Sequence, residues 1–263
     1  MSPAITDHLL SLHRDQFLRA TQHPFLKRAA QGTLSKSLAA IWLSNDKQYI
    51  QGYISTISDL LDNVRRRQAI PDAPGADPEI ETRLIRWLEA GVQNGEREVK
   101  LFQQVAEDYG LDLGTHGSSL LDKHKLEGLR RYEALFSSVA ARKQETFIPW
   151  LESAILLWAT EKVYYEAWSW ANSQDTQIDP SSRTFDRDQD GGAMRREFIP
   201  NWSNGDFLAF TEELQSAVND GVARAVGGDD AKWEDVKRRT EAIWKAVLDA
   251  EETFWPDVPD DGE

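Results

Sequence analysis

The stretch KSLAAIWLSNDKQYIQGYISTISDLLDNVRRR, residues 36–67, reads as one long helix. Gly32 offers a stop before it, and Ser35 offers a side-chain cap. Arg65, Arg66 and Arg67 end it, which suits the negative end of a helix dipole and reads as a solvated helix end. Residues three and four apart share a helix face. Asp46 therefore lies among Trp42, Leu43, Tyr49 and Ile50, on a stripe that should face the interior.

The helical period recurs on both sides of this stretch. Residues 4–20 place Ile5, Leu9, Leu12, Gln16 and Leu18 near one face, with Thr6 or Asp7 as N-cap. His-Pro-Phe at 23–25 closes that helix. Pro and Gly in 71–78 mark a loop. Residues 79–109 hold Ile80, Leu84, Trp87, Leu88 and Val92 in register for the next helix. Further helices are expected over about 119–140, 146–172, 203–225 and 230–254. No alternating β pattern and no internal repeat is found. The polar, Gly-containing segment 173–199 predicts a surface insert with one short helix, and about 256–263 predicts a frayed acidic tail. No boundary separates two cores, so one all-α domain over 1–263 is expected.

Composition narrows the function. Of 263 residues, 40% are hydrophobic, with 10 Trp and 10 Phe, which is enough apolar surface for a sizeable core. Lys+Arg number 30 against 44 Asp+Glu, a formal charge of −14. Such a surface repels phosphate backbones and anionic lipid, so neither nucleic acid nor membrane is expected as a partner. No Cys is present, which removes disulfides, thiolate metal sites and a cysteine nucleophile. No apolar run reaches the ~20 residues of a membrane span. MSPAITDHLLSLHRD lacks the order of a signal peptide. A cytoplasmic location is expected.

Two further acids share the placement of Asp46. Glu161 follows Leu157 and Trp158 and precedes Tyr164 and Tyr165. Glu251 follows Val247 and Leu248 and precedes Thr253, Phe254 and Trp255. A buried, unpaired carboxylate is costly, so three of them suggest a shared polar cavity. Desolvation there would raise their pKa values toward the range of acid/base work. Each acid alone also fits a stripe edge or half of a buried ion pair. Tyr49, Tyr53, Tyr132, Tyr164 and Tyr165 recur beside the acids, as core or as a flat slot for a heteroaromatic ligand. Trp87, Trp150, Trp170, Trp233 and Trp244 read as packing.

Other chemistries lack their signatures. There is no GxxxxGK[ST], no GxGxxG and no HExxH. No Glu-x-x-His pair stands on an apolar face, as a di-iron bundle would need. His13 is a formal haem-ligand candidate; His116 and His124 fall in or beside a polar loop. No cofactor and no metal is expected. Arg183, Thr184, Phe185 and Asp186 carry no assignable chemistry.

The segment HPFLKRAAQGTLSKSLAAIWLSNDKQYI, 23–50, resembles the opening signature of the TenA family of thiamin-salvage proteins. There a His-Pro-Phe and a Gly-Thr-Leu turn precede a helix bearing Gln-Asp-x-x-Tyr. WATEKVYYEAW, 158–168, is similar to the branch that lacks the nucleophilic cysteine and carries a glutamate beside that position, with Thr160 where the thiol would fall. NWSNGDFLAF, 201–210, and VLDAEETFW, 247–255, resemble the family's last two helices. Gln-Asp is Asn45-Asp46 here, a tyrosine is missing near Gly205, and 173–199 has no counterpart.

The resemblance implies a haem-oxygenase-like helical bundle. It implies a hydrolase of thiamin-related aminopyrimidines, acting by N-formyl hydrolysis or by replacement of an exocyclic amine with water. Asp46, Glu161 and Glu251 take the catalytic positions. Asp46, Tyr49, Tyr164 and, more loosely, Tyr132 take the substrate-binding ones. A homo-oligomer is expected. The rival readings are a non-catalytic pyrimidine-binding or regulatory protein on the same fold, and a haem or di-iron redox protein.

Overall fold

The computed structural model describes residues 4–70, 73–114, 120–141, 147–175 and 184–259. Every regular element among them is helical. The helices are α1 Ile5–Ser11, α2 Arg14–Thr21, α3 Pro24–Gln31, α4 Lys36–Gln68, α5 Pro78–Tyr109, α6 Glu127–Ala140, α7 Leu151–Ser173, α8 Ile199–Trp202, α9 Gly205–Val226 and α10 Asp230–Glu251. The all-α reading stands. No helix among the described residues is long and apolar enough to cross a membrane.

Helix α7 is buried almost all round, from Leu151 to Ala171. A helix apolar on every side must run through a core. It packs against α2, α3, α4, α8, α9 and α10. Helices α4 and α5 form a long antiparallel-connected pair, and α6 and α10 lie together beside α4 and α7. The ends follow local chemistry. Ser35 Oγ accepts from Leu38 N at 3.3 Å, and Asp77 Oδ1 accepts from Ile80 N at 3.2 Å. Caps of this kind contribute about 1 kcal/mol each.

Several expectations need correction. The first helix is two: α1 ends at Ser11 and α2 starts at Arg14, with His13 between them at φ 54. Thr6 is no cap. It lies buried in α1 and exchanges hydrogen bonds with Asn219 of α9, 3.1 and 2.8 Å, which orients the short helix separately. Leu18, expected on the inner face, is exposed.

The helix expected from 119 begins only at Glu127, after a 3-10 turn at Asp122–His124. Asn45 is the cause. Its Oδ1 accepts from Leu126 N at 2.8 Å, and its Nδ2 donates to His124 O at 3.3 Å. The helix expected from 146 begins at Leu151, with Trp150 as the residue before it. Residues 142–146 and His116 lie outside the described residues.

The segment 173–199 is not all surface insert. Helix α7 uses Ser173, and 176–183, with Arg183, lie outside the described residues. From Asp190 onward the chain returns to the core: Asp190, Met194, Arg195, Phe198 and Trp202 are buried. Asp190 accepts from Gly192 N and Met194 N at 2.8 and 2.7 Å, starting a π-helical turn at Met194–Phe198. Arg195 is buried because Asp188 at 2.9 Å and Asp175 at 3.4 Å neutralise it. Gly32, at φ 69, lets Asp188 approach; a Cβ there would meet Asp188 Oδ1 at 2.4 Å.

At the other end, Pro256 is buried rather than frayed, and Arg28 donates to Pro259 O. Residues 260–263 lie outside the described residues.

Candidate active site

Helix α4 presents Asp46, Tyr49, Ile50 and Tyr53 on one face, at steps of three, one and three residues. That face lines a cavity of about 460 Å³, within the size range of small-ligand sites. Helix α7 adds Thr160, Glu161 and Tyr164. Helix α5 adds Gly91, Asn94, Gly95 and Glu98. Trp202, Phe207 and Phe210 complete an aromatic wall. The glycines are positional: a Cβ on Gly95 would lie 2.6 Å from Ile54 Cγ1. Without them α5 would stand off from α4.

The acids of the site are held by aromatic donors. Tyr164 Oη donates to Asp46 Oδ2 at 2.9 Å. Tyr53 Oη donates to Glu161 Oε1. Tyr132 Oη donates to Glu251 Oε2 at 2.6 Å. Trp202 Nε1 donates to Glu98 Oε1 at 2.8 Å. None of these four carboxylates has a cation within salt-bridge distance among the described residues.

Burial without a cation disfavours the ionised form. It raises the Asp46 carboxyl well above its usual range, against the opposing Tyr164 hydrogen bond. It raises Glu161 to about 8, and Glu98 and Glu251 to about 7. For Glu98 and Glu251 the Trp202 and Tyr132 hydrogen bonds work the other way. Burial also pushes the Tyr49, Tyr132 and Tyr164 phenols well above 10, so all three stay hydrogen-bond donors at neutral pH. Proton-holding acids beside an open, ligand-sized cavity suit acid/base chemistry.

The residues singled out in the sequence divide in two. Asp46, Tyr49, Glu161 and Tyr164 line the cavity, as does Thr160. Glu251 and Tyr132 do not line it. They form a buried pair reached through Tyr49, whose ring meets that of Tyr132 edge-on at 4.9 Å. Tyr165 packs outside, against Phe207 at 6.1 Å. His13 is exposed and is not among the lining residues. No cluster of three His, Cys, Asp or Glu residues among the described residues is placed to hold a metal ion.

Glu98 escaped the sequence reading. Its helix neighbours at −4 and −3 are Asn94 and Gly95, so the apolar stripe, Leu101 and Phe102, flanks it on one side only. The available signal was the pair Gly91 and Gly95 on the same face, which marks a close helix approach.

No family profile matches the chain. Solved structures do. A TenA homologue from Pyrococcus furiosus superposes with a TM-score of 0.68 at 21% identity, covering 95% of this chain and 97% of that one. The chain has the TenA fold. A second structure with this fold, named a TenA family transcription regulator from a Silicibacter species, gives 0.66 at 11% identity over 97% of this chain and 98% of that one. A TenA homolog from Pseudomonas syringae pv. tomato gives 0.64 at 12% over 96% and 93%. In sequence, the chain is 25% identical over 273 residues to a protein of Fusarium pseudograminearum named "Probable transcription factor". The alignment takes 94% of this chain and 52% of that protein, so the chain spans about half the length of the curated relative it matches.

Proposed function

We propose that the chain is a single TenA-type domain that hydrolyses a thiamin-related aminopyrimidine, with N-formyl aminomethylpyrimidine as the preferred class. The observation that carries this reading is the pairing of Asp46 and Glu161 in one aromatic-walled cavity, each held by a phenol and neither paired to a cation. A flat ring fits between such walls. Asp46 accepts from the amino-pyrimidine edge and so turns the substituent toward Glu161.

The step is a water addition to the formyl carbon. Ionised Glu161 takes one proton from the attacking water, and the C–O bond forms. Glu161 then returns that proton to the amide nitrogen as the C–N bond breaks. The products are formic acid and the free amine, and Glu161 ends as it began. Replacing an exocyclic amine by water uses the same proton transfers at a ring carbon. Glu251 lies behind Tyr49, so it serves through the Tyr132 and Tyr49 packing and not by touching the ring.

A regulatory binder on the same fold is the second reading. The word regulator in the name of one fold relative, and transcription factor in that of the curated relative, favour it. Incubation with a panel of formylated and free aminopyrimidines, followed by mass spectrometry, separates the two. Release of formate and free amine supports the hydrolase. Binding without product at acid, neutral and alkaline pH supports the regulator.

A further inference from the structure

Glu98 has no role in the hydrolysis above, yet it lines the same cavity. Its Oε1 accepts from Trp202 Nε1, and its Oε2 has no hydrogen-bond partner among the described residues. Asp46 shows the same half-occupied pattern: Oδ2 accepts from Tyr164, and Oδ1 has no partner there. The two donors are themselves packed together, Tyr164 edge-on to Trp202 with ring centroids 5.1 Å apart. Two carboxylates from different helices, both lining one cavity, are thus each held by one of a pair of packed aromatic rings. Each keeps one oxygen for something else.

The surrounding charge sharpens the point. Among the described lining residues, Asp46, Glu98, Glu161 and Asp206 face a single guanidinium, Arg97. Arg97 is exposed and donates to Asn94 Oδ1 at 2.6 Å. It is not bonded to either member of the pair. Glu98 is the first carboxylate that opposes ionisation of Asp46, with Glu251 behind it. Like charges in one cavity disfavour each other until a cation arrives.

We propose that Asp46 and Glu98 form a two-carboxylate clamp that takes the ligand as a flat amidinium-type cation, protonated on the ring nitrogen beside its amino group, in preference to a neutral ring. Charge-assisted hydrogen bonds from such an edge are shorter and stronger than neutral ones. A neutral aminopyrimidine reaches the same state by taking one carboxyl proton onto its ring nitrogen. The proton moves within the complex, so no outside acid is required. The proposal rests on the cavity being the ligand site. It adds the charge state of the ligand and a specificity role for Glu98.

Benzamidinium and benzamide test it, being flat and similar in shape but different in charge. Calorimetric titration of the full chain should give at least a tenfold preference for benzamidinium, roughly one decade in Kd. Glu98→Gln keeps length and an acceptor oxygen but removes the charge, and should weaken the cation about tenfold while benzamide is little changed. Glu98→Asp keeps the charge and should retain the preference. A purely structural role predicts the reverse order, with Gln the milder change. Equal affinities in the wild type, or an unchanged preference in Glu98→Gln, overturn the clamp and leave the cavity reading in place. Failure of both probes to bind overturns both. Selective cation binding without turnover of any pyrimidine sinks the hydrolase reading alone.

Discussion

Tyr132 donates to one oxygen of Glu251 at 2.6 Å, and the other oxygen, Oε1, is buried with no hydrogen-bond partner among the described residues. The pair belongs to α6 and α10, and it backs Tyr49 where that ring faces the cavity. Removing the donor leaves both oxygens of Glu251 without one. Tyr132→Phe should cost about 1–3 kcal/mol, the penalty for an unsatisfied buried polar group. The Tyr132 hydrogen bond lowers the Glu251 pKa, so its loss raises it. The stability deficit should therefore grow with pH, and urea unfolding at acid and alkaline pH reads it. An equal deficit at both would show that the bond does not favour the ionised acid.

Glu161→Gln should abolish hydrolysis and change the pH dependence of stability. The folded Glu161 titrates near 8, against 4.5 for the free side chain. The folded state therefore holds the proton more tightly. That contribution is complete below about 4.5 and is lost as pH rises through about 8. Gln is neutral throughout. The variant should match the wild type in melting temperature below about pH 4.5 and exceed it by a margin that grows up to about pH 8 and then levels off. Wild-type turnover should rise with pH through a midpoint near 8 as the base ionises. A variant with normal turnover would remove Glu161 from the reaction.

Asp46→Asn keeps the shape of the side chain and the Tyr164 partner but turns an NH₂ toward a ligand donor. Charge-assisted bonds contribute roughly 1.5–3 kcal/mol. Pyrimidine affinity should fall by about one to two decades at ~1.4 kcal/mol each, with helicity unchanged. Titration calorimetry beside an unfolding curve checks this. Unchanged affinity with an intact fold would defeat the binding role.

Thr160→Cys places a thiol on the cavity wall beside Glu161. Thr160 is buried and its hydroxyl donates to Leu157 O at 2.9 Å, so the smaller polar demand of a thiol is tolerated. The introduced thiol should react with a small alkylating agent slowly, and more slowly with a pyrimidine bound. Alkylation that ignores the ligand would place this wall outside the binding site.

Gly128→Ala tests the register of α6 against α10. A Cβ on Gly128 would meet Ala250 O and Phe254 N, both at 2.4 Å. These are backbone atoms, with little freedom to move aside. Gly128 N also donates to Thr253 O at 2.9 Å. Overpacking of this kind costs about 1–3 kcal/mol, and it should shift Tyr132 away from Glu251. The expected result is a lowered melting temperature together with weakened ligand binding. Normal values of both would contradict the close approach.

What the chain reveals before folding depends on the range of the forces. Asp46 and Glu161 stand out because local periodicity sets each among large apolar neighbours, and the fold buries both. Glu98 is hidden because its own helix flanks it with apolar residues on one side only, Leu101 and Phe102, and the indole that holds it, Trp202, lies far along the chain. The break at His13 has no local cause in the pattern Ile5, Leu9, Leu12; it reflects the docking of Thr6 on Asn219. Asn45 looks like a near-miss of Gln-Asp, and its work is to tie α4 to the chain entering α6. The charged run Arg195, Arg196, Glu197 reads as surface, but Asp188 and Asp175 carry Arg195 inward. Long-range pairings of this sort leave no periodic trace.

The indole of Trp202 touches both the cavity and the aromatic cluster behind it. Its ring lies 5.4 Å from that of Trp168 and 6.1 Å from that of Trp42, and its N–H is bonded to Glu98 on the cavity wall. Light absorbed by any of these three indoles can pass among them, since they are within contact range. The one with the cavity-facing hydrogen bond then sets the colour and lifetime of part of the emission. A bound ring that changes the charge of Glu98 changes the field on that indole. At the ligand site proposed above, that indole would report occupancy through the protein's own emission, before any label is attached.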